Sequence, residues 1–256
     1  MAEELLKIQR RPKYLILTLN RPEKRNSLNQ GLIEALARAI EPVEKDQEIR
    51  ALVLRGEGSS FCAGIDLKEI AEDEGGHNPN SLESVFGRLE RLPVPTIAAI
   101  NGAALAGGLE LALHCDLRLA SEDARLGMTV AKVGLLVPYD FIRKLIEVCG
   151  AANTSLILYT ADLFEARRGL QMGLVHEVVP NSKLDEAAIA LAEKVSANAP
   201  LALRAMKQSL RRSMSQSFDA YHRDILDLGR AVRASKDAKE GVRAFVEKRK
   251  PQWRAE

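Results

Sequence analysis

The segments Ser60-Phe61-Cys62-Ala63-Gly64-Ile65-Asp66-Leu67-Lys68 and Asn101-Gly102-Ala103-Ala104-Leu105-Ala106-Gly107-Gly108-Leu109-Glu110 decide the fold of this 256-residue chain. Each segment follows a short β-prone run and contains glycines typical of a turn that leads into a helix. Backbone N–H groups at such a turn lack partners within the helix, so they can bind an oxygen that carries negative charge. The two segments therefore predict the two parts of one oxyanion hole.

The order of elements around these segments predicts a layered α/β core. Apolar runs at 14–20 and 51–54 read as buried strands, and an amphipathic helix over 29–45, with Asn29 as N-cap, separates them. The pattern recurs as a strand at 96–100, a helix at 107–114 and a strand at 116–120. Residues 72–80, with two glycines and a proline, predict a surface loop.

The C-terminal part of the sequence is mostly helical in pattern. A capping-box spacing predicts a helix that opens at Asp162, residues 175–179 form the last strand-like run, and another helix begins at Pro200. The apolar face of that last helix could pack on the chain's own core or on a neighbouring subunit.

The amino-acid composition does not indicate a particular binding partner. Thirty-seven basic residues nearly balance thirty-five acidic ones, and the net charge of +2 gives no general reason to expect nucleic-acid binding. No leader-like or membrane-spanning stretch is found, so we expect a cytoplasmic protein with no membrane partner. The three cysteines lack CxxC spacing, which argues against a metal site, and their odd number fits reduced thiols better than a disulfide framework.

Several motifs together resemble the crotonase, or enoyl-CoA hydratase/isomerase, superfamily, and the resemblance runs nearly end to end. The family order and spacing of these separate segments make the likeness specific, whereas one glycine pair would be weak. The matching segments are Leu19-Asn20-Arg21-Pro22, Asn26-Ser27-Leu28-Asn29, the Phe-x-Ala-Gly-x-Asp-Leu-Lys run at 61–68, Ala99-Ile100-Asn101-Gly102, the run at 107–116 and Glu240-Gly241-Val242-Arg243-Ala244-Phe245.

The resemblance implies a crotonase-like α/β fold, a spiral of ββα units. It divides the chain into a spiral core at 1–195 and a helical C-terminal region at 196–256 that builds homotrimers or hexamers. It also implies an acyl-CoA substrate, with coenzyme A as part of that substrate, no separate cofactor, no metal, and a role in fatty acid metabolism.

Carried over by position, the resemblance assigns site residues. The N–H groups of Ile65 and Gly107 would hold the thioester oxygen as it gains enolate charge. Ala63, Asp66 and Lys68, together with those two residues, would contact coenzyme A. For Lys68, a solvated surface lysine is the alternative.

Glu110 is the candidate acid/base, since it lies in an apolar helix about one turn from Gly107. A buried carboxylate without a partner is costly and tends toward a raised pKa, which suits proton transfer near neutrality. The alternative is a structural partnership with His114, four residues later on the same helical face. For His114 itself we expect a hydrogen-bonded packing role.

The sequence departs from the hydratases of this family at Val130. Those enzymes pair the residue at position 110 with a second glutamate at this place, and valine cannot move a proton. Ordinary two-glutamate hydration is therefore in doubt. Tyr139 and Asp140 are the replacement candidates, because Val137-Pro138-Tyr139-Asp140 is similar to a Val-Pro-Tyr-Asn segment of methylmalonyl-CoA decarboxylase-like members, two residues out of register. A helix start with Asp140 as cap is the structural alternative.

We therefore expect a lyase or isomerase of the enoyl-CoA hydratase/isomerase type. The alternative within enzymes is a methylmalonyl-CoA-type decarboxylase or a dienoyl-CoA-type isomerase that uses Tyr139 or Asp140. An alternative of another class is a non-catalytic oligomer that binds CoA or RNA. For RNA the candidate surface is a basic helix face, although such faces are usually only solvated; it comprises Arg204, Lys207, Arg211 and Arg212.

Overall fold

The computed structural model describes residues 5–66, 79–215, 230 and 234–252. Lys68 and residues 72–78 of the expected surface loop lie outside the described residues. The last two residues of that expected loop, Pro79 and Asn80, open a helix instead.

The described strands form two sheets. The strands are β1 (Leu6–Arg10), β2 (Tyr14–Leu19), β3 (Ala51–Gly56), β4 (Ser60–Cys62), β5 (Thr96–Ile100), β6 (Ala103–Leu105), β7 (Leu117–Ser121), β8 (Arg125–Gly127), β9 (Phe164–Glu165) and β10 (Glu177–Val179). The large sheet has the order β1-β2-β3-β5-β7-β10 and is parallel except for β1. The small sheet has the order β4-β6-β8-β9 and is parallel except for β9.

The helices within the described residues cover both sheets. They are α1 (Gln30–Lys45), α2 (Pro79–Arg91), α3 (Gly107–Leu113), α4 (Tyr139–Thr160), α5 (Ala166–Gln171), α6 (Leu184–Ser196), α7 (Pro200–Ser215) and α8 (Lys236–Val246). A strand of the large sheet, a strand of the small sheet and a helix follow one another in β3-β4-α2, β5-β6-α3 and β7-β8-α4. This recurrence confirms the α/β spiral of ββα units.

Alternation along the central strands explains the layers. On β2, Leu15 and Leu17 join the core cluster that includes α1 and α2, whereas Tyr14 and Ile16 face the cluster that includes α6. Both faces of the large sheet are therefore buried. Helix α1 begins as its sequence indicates, because the Asn29 side chain accepts a hydrogen bond from the N–H of Leu32 at 3.0 Å.

The small sheet brings the two glycine-bearing segments together. Strands β4 and β6 are parallel neighbours, with Ser60 opposite Ala103 and Cys62 opposite Ala104. Because the carboxyl ends of parallel strands meet at one edge, the residues that follow each strand emerge side by side. That edge is where both parts of the expected oxyanion hole lie.

One helix start was expected at the wrong residue. The capping-box spacing at Asp162 does not open a helix, and α5 begins at Ala166. Ala161, with φ 50°, ends α4, and the next residues extend so that Phe164 and Glu165 pair with β8. Strand pairing therefore overrides the local capping pattern.

The C-terminal helices are tied to the core. The Lys207 ammonium on α7 is buried and donates to the Asp116 carboxylate at 2.6 Å and to the Val94 carbonyl at 2.9 Å. The same Asp116 oxygen accepts from the N–H and the hydroxyl of Thr96. Helix α8 packs on the turn Val130–Val133, where a Cβ on Gly241 would lie 2.1 Å from the Val133 oxygen.

Replacing Lys207 with Met is expected to lower the free energy of unfolding by about 3 kcal/mol, since it strands the Asp116 charge and the Val94 carbonyl. Urea unfolding at fixed protein concentration measures the effect. Lys183→Met removes an exposed ion pair with Glu186 and is expected to leave the urea midpoint unchanged. Equal midpoints for Lys207→Met and the parent would show that α7 is not anchored through this contact.

Candidate active site

The first main-chain donor is fixed by a bridge between Leu28 and Ile65. The Leu28 N–H donates to the Gly64 oxygen at 2.8 Å, and the Asp66 N–H donates to the Leu28 oxygen at 2.9 Å. These bonds use the groups on either side of Ile65, so the N–H of Ile65 points the opposite way. Within the described residues it donates to no acceptor.

The second donor is the N–H of Gly107, the first residue of α3. Ala106 precedes it with φ 49° and ψ −120°, a conformation that non-glycine residues rarely adopt and that costs about 1–3 kcal/mol. The Ala106 N–H donates to the Gly127 oxygen at 2.8 Å, which holds this turn in place. Over the described ranges, the Gly107 N–H has no acceptor in the protein.

The two donors border one small space. A Cβ on Gly64, which has φ 98°, would lie 3.4 Å from the Gly107 nitrogen and 2.9 Å from the Leu105 oxygen. A Cβ on Gly107 would lie 3.7 Å from the Ile65 nitrogen. One oxygen atom placed in this space is therefore within reach of both N–H groups, and glycine keeps the space open.

Glu110 lies one turn into α3 and is buried, with 4% of its surface exposed. The Glu110 N–H donates to the Ala106 oxygen at 3.0 Å. This bond joins the first turn of α3 to the strained residue that precedes the helix. The flanking residues Leu109 and Leu111 are fully buried. The Glu110 side chain is thus buried among apolar neighbours, a location that suits an acid/base.

His114 has the expected packing role. Its Nδ1 lies 2.9 Å from the main-chain oxygen of Glu110, so Nδ1 carries the proton and donates. Its ring packs against Phe86 with centroids 5.6 Å apart. Burial lowers the pKa of His114 even though the Glu90 carboxylate, 3.9 Å from Nε2, opposes this shift. The ring is therefore neutral at pH 7.

A buried cluster of charged side chains beside His114 was not predicted from the sequence. The Lys144 ammonium binds Glu90 at 2.6 Å and Glu147 at 2.8 Å, and Arg143 pairs with Glu147. Burial by itself would raise the pKa of Glu90, but Lys144 and His114 lower it overall. The i,i+4 spacing of Arg143 and Glu147 and the i,i+3 spacing of Lys144 and Glu147 could have indicated these ion pairs from the sequence. The contact of Lys144 with Glu90 on α2 depends on the tertiary fold.

Helix α4, which begins with Tyr139 and Asp140, packs against α3. Pro138 is the N-cap residue, so Asp140 lies in the first turn and is not the cap. Both side chains are half-buried. Val130 begins a turn of 3-10 helix and packs, partly buried, against the core. It occupies the position at which the family resemblance implies a second glutamate in hydratases.

The residues expected to contact coenzyme A have these positions. Ala63 is half-buried, and its N–H donates to the Arg25 oxygen at 3.0 Å. The Asp66 carboxylate lies 3.3 Å from Arg21 and 3.4 Å from the Ser27 hydroxyl. Lys68 lies outside the described residues. Burial raises the pKa of the Cys62 thiol to about 12, which agrees with a packing role for that side chain.

The basic helix face considered for RNA is not one exposed surface. Lys207 is buried and paired with Asp116, Arg204 and Arg211 are half-buried, and Arg212 is exposed. Among the described residues, no group of three His, Cys, Asp or Glu side chains is arranged to hold a metal ion. In the same residues, no helix has the length and apolar character needed to span a membrane.

Comparison with known proteins agrees with the fold. Residues 13–256 match the family described as enoyl-CoA hydratase/isomerase. The chain is 36% identical to 2,3-dehydroadipyl-CoA hydratase of Escherichia coli, over 96% of this chain and 97% of that protein.

Solved structures show the same likeness. A methylmalonyl-CoA decarboxylase complexed with 2S-carboxypropyl CoA superimposes with a TM-score of 0.91 at 27% identity and full coverage of both chains. Carnitinyl-CoA hydratase from Mycobacterium avium superimposes with a TM-score of 0.90 at 35% identity, also over both whole chains. The chain therefore belongs to the enoyl-CoA hydratase/isomerase family and is an enzyme of the crotonase superfamily.

Proposed function

We propose that this enzyme binds an enoyl-CoA thioester with its carbonyl oxygen between the N–H groups of Ile65 and Gly107, and that Glu110 is the acid/base. The observation that carries the proposal is the space shared by these two donors, one helical turn from a buried carboxylate. Charge that reaches the thioester oxygen is stabilised there by donors that need no reorganisation.

Hydration of a 2-enoyl thioester uses all three groups. Glu110 takes a proton from water as the water oxygen bonds to Cβ, and the π electrons move to the thioester oxygen. The resulting enolate is held by the two N–H groups until Glu110 returns the proton to Cα. Isomerisation of a 3-enoyl thioester uses the same parts, because Glu110 then takes a proton from Cα and delivers it to Cγ.

A second candidate is decarboxylation of a malonyl-type thioester, and Val130 is the observation that favours it. Here the bond from Cα to the carboxylate breaks, CO₂ leaves, and the bonding electron pair becomes the enolate. No base is needed, so the missing second carboxylate is no obstacle. Tyr139, on the helix that packs against α3, is the proposed proton donor to Cα. Asp140 is the proposed acid of a dienoyl-CoA-type isomerase.

Coenzyme A binding by Ala63, Asp66 and Lys68 is part of the proposal and rests on the family resemblance. We also propose that the chain assembles into homotrimers or hexamers. Large apolar side chains on α7 support an assembly of copies, since 78% of Leu201, 65% of Met206 and 62% of Leu210 are exposed in a single chain.

Glu110→Gln is expected to lower kcat on crotonyl-CoA or a 3-enoyl-CoA by about 10²–10⁴-fold, since it removes the proton carrier but keeps the shape. Absorbance of the thioester follows the reaction, and Glu44→Gln on the exposed face of α1 is the control. CO₂ release from methylmalonyl-CoA that survives Glu110→Gln would favour the decarboxylase. Binding of CoA with no turnover of any of these substrates would favour the non-catalytic oligomer.

Val130→Glu is expected to raise the hydration rate of crotonyl-CoA at least tenfold (roughly 1.4 kcal/mol of barrier), because it supplies a second proton-transfer group. Val130→Gln is the matched control, with the same size and no ionisable proton. A rise with Gln as large as with Glu would mean that pocket shape, and not proton transfer, limits hydration.

A backbone ester at residue 107, made by incorporating glycolic acid, removes one N–H and no side-chain atom. We expect kcat to fall about 10²–10³-fold, the usual effect of losing one oxyanion donor. Gly107→Pro removes the same donor, although its ring adds strain beside Ala106. Thermal unfolding and CoA binding serve as controls for folding. Unchanged kcat in the ester enzyme would contradict the assignment of Gly107.

A further inference from the structure

The guanidinium of Arg21 is buried directly behind the first oxyanion segment. Only 9% of Arg21 is exposed. Its Nη1 donates to the Ser27 oxygen at 2.6 Å, and its Nη2 lies 3.3 Å from the Asp66 carboxylate. The Ser27 hydroxyl lies 3.4 Å from that same carboxylate oxygen. Arg21 therefore joins the loop that contains Ser27 to the residue that follows Ile65.

The loop at residues 25–28 holds the backbone on either side of Ile65. The Arg25 oxygen accepts from Ala63, and Leu28 exchanges two hydrogen bonds with Gly64 and Asp66. Each of these bonds engages a residue of the segment 63–66 other than Ile65. The orientation of the Ile65 N–H is thus set by the position of the loop behind it.

The loop needs support from outside, because its own backbone is unfavourable. Arg25 and Asn26 have φ values of 51° and 54°, in the left-handed region. The Asn26 side chain is held at both ends: its oxygen accepts from the Arg21 N–H at 2.8 Å, and its amide donates to the Ser60 oxygen at 2.7 Å. Main-chain and side-chain groups of Arg21 thus fasten both halves of the loop.

The ion pair of Arg21 with Asp66 is not explained by a gain in folding stability alone. The side chains of Arg21 and Asp66 are 10% and 15% exposed, so forming the pair requires removal of water from two charges. Buried ion pairs often contribute little net stability for this reason. Lysine could not replace the contact, since two different guanidinium nitrogens reach Ser27 and Asp66.

We propose that Arg21 is a positioning residue for the reaction, which aims the Ile65 N–H at the thioester oxygen through Ser27 and Asp66. The inference rests on the proposed function. Arg21 touches no reacting atom in this account. Its effect is on the geometry of a donor that matters most in the transition state, so its loss lowers kcat more than it raises KM.

The test uses the infrared carbonyl band of [1-¹³C]butyryl-CoA, a saturated thioester, bound to the full enzyme. Donors at the oxygen lower the carbonyl stretching frequency, and we expect the parent enzyme to show this shift. Arg21→Met is expected to reduce the shift and to lower kcat by about 10²-fold with a smaller change in KM. Asp66→Asn is expected to act in the same direction, and the double variant is expected to be no worse than the worse single one.

Arg118→Met is the matched control. Arg118 is another buried arginine, which donates to the main-chain oxygens of Leu174 and Cys115. Its loss is expected to lower the unfolding temperature and to leave the carbonyl band of the folded enzyme in place. If Arg21→Met does not fold, Arg21→Lys, which keeps the charge and only one contact, is expected to show an intermediate shift.

The outcomes separate this inference from the proposed function. A parent enzyme that leaves the carbonyl band unshifted contradicts the oxyanion hole itself. A shifted band in the parent that stays fully shifted in Arg21→Met or Arg21→Lys, with kcat unchanged, overturns the role of Arg21 alone. Reduced thermal stability without a change in the band would show that Arg21 only supports the fold.

Discussion

The site depends on the direct approach of two stretches of backbone with no side chain between them. A Cβ on Gly108 would lie 2.1 Å from the Cys62 oxygen, and one on Gly64 would lie 2.9 Å from the Leu105 oxygen. Any other residue at these positions must push α3 away from the segment after β4. Because the donors of Ile65 and Gly107 sit on opposite sides of this contact, their separation is set by the packing of main chain on main chain.

Hydrogen bonds around α3 stabilise the strained turn that precedes this helix. The unfavourable turn at Ala106 is hydrogen-bonded at its N–H to the Gly127 oxygen of β8 and at its oxygen to the Glu110 N–H, so both polar groups of the turn are held. Behind α3, His114 caps the Glu110 carbonyl and meets the charges of Glu90 and Lys144. The Glu110 side chain is therefore 4% exposed on an apolar helix, with the charges of the neighbouring cluster paired with one another.

Much of this arrangement follows from local sequence. The Asn29 cap, the apolar face of α1 and the mostly apolar sequences of β2 and β3 each depend on neighbours within a few residues, and all three were predicted. The glycines were identified because a turn between a strand and a helix leaves N–H groups without partners in the helix. Glu110 was identified as the carboxylate in the apolar helix that follows this turn. The substrate's acyl group has no comparable local signal.

The features that could not be predicted from the sequence depend on contacts between residues far apart in the chain. Lys207 reads as part of a basic surface until Asp116 is brought to it, and Asp162 reads as a helix start until Phe164 pairs with β8. The link from Lys144 to Glu90 and the link from Arg21 to Asp66 are of the same kind. Each pairs a charge with a residue that only the folded sheet makes its neighbour.

A crystal structure with bound butyryl-CoA would show whether the N–H groups of Ile65 and Gly107 both bind the thioester oxygen. We expect the thioester oxygen to lie about 2.7–3.1 Å from the main-chain nitrogens of both Ile65 and Gly107. A thioester oxygen bound elsewhere, or either N–H already bonded to another protein atom in that complex, would contradict this expectation.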